Sequence, residues 1–170
     1  MQKNIMLIGF MGTGKSTVAS CLCEIYGMDL VEMDELIAAR EGMSIPDIFA
    51  KKGETYFRDL ETNLVIELQS KTNKVVSCGG GVVLRDCNVK EMKKNGCVVL
   101  LTAQPETVLE RVKDDDNRPL LRGNKNVEFI SEMMEKRREK YETAADVVIS
   151  TDGKDVETIC KEIIEKVRGE

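Results

Sequence analysis

Short apolar runs alternate along this chain with longer segments whose apolar residues recur at helical spacing. The runs are Ile5–Ile8, Leu30–Met33, Lys74–Cys78, Cys97–Leu101 and Val147–Ile149. They are continuous rather than alternating and rich in β-branched residues, the pattern of strands covered on both faces. The segments between them predict helices over Ser16–Tyr26, Glu35–Arg40, Ser44–Lys51, Glu54–Gln69, Asn88–Lys94, Pro105–Lys113, Asn126–Tyr141 and Val156–Val167. Strand–helix alternation of this kind predicts an α/β fold with a parallel sheet flanked by helices. Local signals agree. Ser44-Ile45-Pro46-Asp47 carries an N-cap, a first-turn proline and a first-turn acid, and Gly27 and Gly53 stand where helices should stop.

The 170 residues fit one domain with an ordinary core. The chain has no repeat or low-complexity tract. A net charge of -5 argues against a protein that coats nucleic acid, which needs a basic face to release counterions. The chain contains no histidine. Ser-His-Asp and Cys-His nucleophiles and HExxH zinc sites are therefore excluded, and proton transfer must use another group. The 6 cysteines, Cys21, Cys23, Cys78, Cys87, Cys97 and Cys160, include no CxxC pair, so they read as reduced and mostly as core filler. The run at residues 5–8 is too short for a signal or membrane segment, and a cytoplasmic location without membrane contact is expected.

Candidate chemistry begins at Gly9-Phe10-Met11-Gly12-Thr13-Gly14-Lys15-Ser16-Thr17, a G-x4-GK[ST] motif between a predicted strand and a predicted helix. Glycines let backbone N–H groups curl around phosphate oxygens, and the helix N-terminus adds donors and partial positive charge. Lys15 is placed for the β- and γ-phosphates of a nucleoside triphosphate and Ser16 for Mg²⁺. A switch GTPase is disfavoured, because no DxxG is present and Asn73-Lys74 continues to Val76 instead of an aspartate.

An acceptor site should lie at the carboxyl ends of strands. Asp34 stands between the second strand and second helix, placed either to cap that helix or to accept a proton from an attacking hydroxyl. Gly79-Gly80-Gly81 follows the third strand, which suggests close backbone approach to a ligand or a positive-φ turn. Arg137 falls on the apolar stripe of its helix with Val127, Ile130, Met134 and Tyr141, so it requires an anionic partner. Arg58 lies beside Glu61, which shares a stripe with Phe57, Leu60, Leu64 and Leu68. Arg58 is either a surface ion pair or, with Arg137, half of a carboxylate clamp.

The P-loop, Asp34, Phe57-Arg58-x-x-Glu61, the triple glycine, Arg118-Pro119-Leu120-Leu121 and Lys136-Arg137-x-x-x-Tyr141 together resemble the shikimate kinase family in order and spacing, over nearly the whole chain. The resemblance implies a P-loop kinase of the nucleoside-monophosphate-kinase type, with a five-stranded parallel sheet, a substrate-binding region over about 33–61 and a lid over about 112–124. It implies transfer of the ATP γ-phosphate to the 3-hydroxyl of shikimate, a step towards chorismate and aromatic amino acids. It implies Asp34 as base, Arg58 and Arg137 on the carboxylate, and the backbone of Gly79, Gly80 and Gly81 along the ring. Arg118 would come from the lid onto the phosphates, and Arg111 and Lys154 would flank the adenine. A monomer is the family's common state.

One position departs from the family pattern. Glu32-Met33-Asp34 stands where the family usually shows Asp-x-Asp, so Glu32 carries the Mg²⁺-assisting carboxylate on a longer arm. The alternatives to this reading are a gluconate- or nucleotide-type kinase on the same fold, and a P-loop nucleotide sensor without activity.

Overall fold

The computed structural model describes residues 3–113 and 126–169. Arg118, with most of the segment expected to form a lid, lies outside the described residues. Strands β1 (Asn4–Ile8), β2 (Asp29–Glu32), β3 (Lys74–Ser77), β4 (Gly96–Thr102) and β5 (Val147–Ser150) form one parallel sheet in the order β2-β3-β1-β4-β5. Helices α1 (Lys15–Tyr26), α2 (Met33–Glu41), α3 (Ile45–Lys52), α4 (Glu54–Leu68), α5 (Asp86–Asn95), α6 (Pro105–Val112), α7 (Val127–Ala144) and α8 (Val156–Arg168) flank it. None of the described helices is long and apolar enough to cross a membrane.

Successive strand residues point to opposite faces, and each face has its own core. Ile5, Leu7, Val75, Val99 and Leu101 pack with Val18 and Leu22 of α1 and Ile159 and Ile163 of α8. Met6, Ile8, Val76, Val98 and Leu100 pack on the other side, with residues of α2 to α7. Covering both faces explains why the central strands read as unbroken apolar runs. The two edge strands differ from that expectation. Leu30 of β2 and Val148 of β5 are exposed. An edge strand has a neighbour on one side only, and the helices reach it incompletely.

The helix signals are realised. Ser44 caps α3 by accepting the Asp47 N–H at 3.2 Å, and Gly27 ends α1 in the left-handed region. One boundary moves. Met33, expected as the last residue of the second strand, is the first residue of α2 and is fully buried. Its apolar side chain packs α2 onto the core instead of extending the sheet. Asp34 therefore stands inside the first turn of α2, whose N-cap is Glu32, so its expected alternative as the helix cap falls away.

The strand order places the site. The chain leaves β1 through α1 over one face, and it leaves the adjacent β3 through α5 over the other. Connections diverging from neighbouring strands open a crevice at their carboxyl ends, where open α/β sheets hold ligands.

Candidate active site

That crevice is a cavity of about 570 Å³. Its wall takes Gly12, Gly14, Lys15, Ser16 and Thr17 from the loop after β1 and the start of α1, and Glu32 and Asp34 from the β2–α2 junction. Ser77, Cys78, Gly79 and Gly80 come from the end of β3, and Ser44 to Pro46 from the start of α3.

The P-loop wraps the N-terminus of α1. Gly12 has φ of +79°, and a Cβ there would lie 2.8 Å from Val112 of α6, so the position needs glycine on both counts. Thr13 is buried and its hydroxyl donates to Phe10 O at 2.8 Å, which shapes the loop rather than its mouth. The Lys15 ammonium reaches over the loop, donating to the carbonyls of Gly9 at 2.7 Å and Phe10 at 3.1 Å. Arg111, near the end of α6, donates to Gly12 O at 2.9 Å and lines the cavity. Lys154 is not brought to this wall. It lies in the turn before α8, paired with Glu162 at 3.0 Å.

At the base of the loop, the Ser16 hydroxyl donates to Glu32 Oε2 at 3.0 Å and lies 3.4 Å from the hydroxyl of Ser77. Burial pushes the Glu32 carboxyl above the usual carboxylate range, and the two hydroxyls only partly offset that. A desolvated carboxylate beside a serine hydroxyl is a hard oxygen donor set that suits Mg²⁺. Among the described residues no group of three or more acidic or cysteine side chains gathers to hold a metal. A cation here would complete its shell with phosphate and water, as Mg²⁺ commonly does. Ser77 was not singled out in the sequence, although it is the polar residue at the carboxyl end of an apolar strand.

The opposite wall is built around the glycine run. None of its three glycines has positive φ, so close approach, not a left-handed turn, explains them. A Cβ on Gly79 would lie 2.7 Å from Glu61 Oε2 and 2.9 Å from Asp34 Oδ1. A Cβ on Gly81 would fall within the guanidinium of Arg58, and one on Gly80 would lie 3.6 Å from Arg137 Nη1. The Tyr141 hydroxyl donates to Gly80 O. Thus Arg58 and Arg137, far apart in sequence, meet at consecutive glycines. Gly81 and both arginines adjoin the lining of the main cavity and are not part of it.

Both arginines are buried, each 8% exposed, so Arg58 is no surface ion pair. Arg58 lies on α4 against the paired rings of Phe57 and Phe49, its guanidinium carbon 5.4 Å and 5.9 Å from their centres. Its Nη1 donates to Glu61 at 2.7 Å and its Nη2 to Glu54 at 3.2 Å. Glu61 is fully buried, and burial pushes its carboxyl up to about 7, with the charge of Asp34 adding and those of Arg58 and Arg137 opposing. Largely buried positive groups at one wall and a phosphate loop at another can hold two anions face to face.

Known proteins resemble this chain in sequence and in fold. The shikimate kinase family model matches residues 11–168. A shikimate kinase of Persephonella marina is 47% identical over 98% of this chain and 99% of its own length. One of Thermodesulfovibrio yellowstonii is 43% identical over 96% of this chain and 94% of its own. A solved structure described as shikimate kinase from Acinetobacter baumannii in complex with shikimate superposes with a TM-score of 0.94 at 32% identity, covering 99% of this chain and 94% of that one. By its sequence across nearly its full length and by its fold, the chain belongs to the shikimate kinase family.

Proposed function

We propose that this chain transfers the γ-phosphate of ATP to the 3-hydroxyl of shikimate, giving ADP and shikimate 3-phosphate on the route to chorismate and the aromatic amino acids. The observation that carries this reading is the pair of buried arginines at Gly80 and Gly81, beside the cavity that the P-loop opens into. A small acidic ring alcohol fits that pairing of a carboxylate clamp with a phosphate cradle. Membership of the shikimate kinase family, and not the clamp alone, selects this acid over another anionic acceptor.

In this reading the P-loop amides and Lys15 hold the β- and γ-phosphates, and Arg111 lies along the loop near the adenine. Lys15 exchanges its bonds to the Gly9 and Phe10 carbonyls for phosphate oxygens. Ser16 and Glu32 would hold Mg²⁺, which when bound offsets charge on the phosphates. Arg58 and Arg137 receive the shikimate carboxylate by charge-assisted hydrogen bonds, and Gly79–Gly81 offers backbone at van der Waals distance from the ring. The ring hydroxyl then points across the cavity towards the γ-phosphorus. Asp34 accepts its proton as the oxygen attacks in line and the bond to ADP breaks. Arg118 is assigned to the phosphates, and Lys154 to the adenine, on family membership alone. The substrate-binding region over about 33–61 contributes Asp34 and Arg58, and the segment over about 112–124, most of it outside the described residues, is assigned as the lid on family membership alone. We read the protein as a cytoplasmic monomer.

A coupled assay of ADP release at saturating Mg-ATP tests the function. Release should depend on shikimate and be unaffected by gluconate or a nucleoside monophosphate. ADP release indifferent to shikimate would overturn the reading.

A further inference from the structure

The donors of Arg58 are not all engaged in the same way. Nη1 is bound to Glu61, a carboxylate with no exposed side-chain surface, so that contact is a fixed part of the interior. Nη2 is bound to Glu54, whose side chain is 53% exposed at the first turn of α4. Nε is buried with no hydrogen-bond partner among the described residues. In a guanidinium, Nε–H and one Nη2–H lie parallel along one edge, which is the edge that takes a carboxylate by two bonds. Glu61 holds neither nitrogen of that edge, and Glu54 holds one of them, Nη2, through a single bond. A buried N–H lacking a partner costs free energy, so the edge is poised to accept a second carboxylate oxygen.

We propose that Glu54 is an internal placeholder for the substrate carboxylate. It competes for Nη2 of Arg58 and swings into solvent when shikimate takes the Nε–Nη2 edge. Glu54 is then a positioning residue that sets affinity for the acidic acceptor without touching the reacting atoms. Its exposure lets it leave without opening the core, whereas Glu61 cannot leave. This inference rests on the carboxylate-clamp reading above.

The test is the split between KM and kcat for shikimate in Glu54→Gln and Glu54→Asp, with equilibrium titration of shikimate into each variant. Glutamine removes the competing charge. Aspartate keeps the negative charge at the helix N-terminus but is one methylene too short to hold the 3.2 Å contact. Both variants should lower the shikimate KM and dissociation constant by about two- to fivefold, the range for an exposed ion pair. Changes in kcat should be smaller and the KM for ATP unchanged. A shikimate KM that is unchanged or raised in the glutamine variant overturns the inference. So does a fall with glutamine that aspartate does not share, since charge and not contact would then be responsible. Wild-type protein that fails to turn over shikimate would instead remove the functional reading, and the inference with it.

Discussion

Glu61→Gln keeps the size of the Arg58 brace and its acceptor oxygen but removes the ionisable group. In the native state burial raises this carboxyl from 4.5 to about 7. Between those values the folded protein holds a proton that the unfolded chain has released. The resulting stabilisation is full below about pH 4.5 and is lost as pH rises through about 7. Each tenfold difference in proton affinity between the folded and unfolded states is worth about 1.36 kcal/mol, so the loss amounts to roughly 3 kcal/mol across the window. That is a large share of the stability of a domain of this size, typically about 5–15 kcal/mol. Glutamine does not titrate, so the variant should not show this fall. The assay is urea unfolding of both proteins without ligand at pH 5 and pH 8, followed by circular dichroism. The difference between the two proteins isolates Glu61 from other carboxyls such as Glu32, which burial also raises. Wild type should lose about 2.5 kcal/mol more than the variant on going from pH 5 to pH 8, since part of the change lies below pH 5. Parallel pH dependences would refute the reasoning, because Glu61 would then titrate alike in the folded and unfolded states.

Two further outcomes follow from the cavity walls. Arg137→Ala removes one arm of the clamp. Two charge-assisted bonds at about 1.5–3 kcal/mol each predict a fall in kcat/KM for shikimate of about 10²- to 10⁴-fold, with the KM for ATP nearly kept. Equal losses for both substrates would place Arg137 elsewhere in the mechanism. Glu32→Ala removes the carboxylate that Ser16 contacts. It should raise the Mg²⁺ concentration needed for half-maximal rate at fixed ATP and weaken Mn²⁺ binding measured by electron paramagnetic resonance. An unchanged metal dependence would take Glu32 out of the metal site.

The sequence made much of this legible through burial against type. Arg137 and Glu61 were found because charged residues stood on apolar helical stripes, and both are buried. The P-loop was found because its spacing reports a backbone shape. Parallel topology followed from unbroken apolar strands, but that same rule failed at the sheet edges, where Leu30 and Val148 keep β-branched or apolar character while facing solvent. Periodicity could not say whether Met33 served the sheet or the helix, since a single apolar residue at a junction satisfies both. That ambiguity also moved Asp34 off the helix cap. Other features were out of reach for a different reason. The contact of Arg58 with Phe49 and that of Ser16 with Ser77 depend on side-chain direction and on loops that bring separate elements together, whereas the bond of Glu54 to Arg58 is an i,i+4 pair that helical spacing allows. The glycine run pointed to close approach, but only the structure names the neighbours as Arg58, Asp34 and Glu61.

The central claim is that Arg58 and Arg137 hold the carboxylate of shikimate beside the P-loop cavity. It is tested most directly by comparing kcat/KM for shikimate with that for the same ring triol lacking the carboxylate, at saturating Mg-ATP. The truncated ring forgoes the charge-assisted bonds to both guanidinium groups, and a loss of about a thousandfold or more is expected for it. Comparable kcat/KM values for the two alcohols would contradict it.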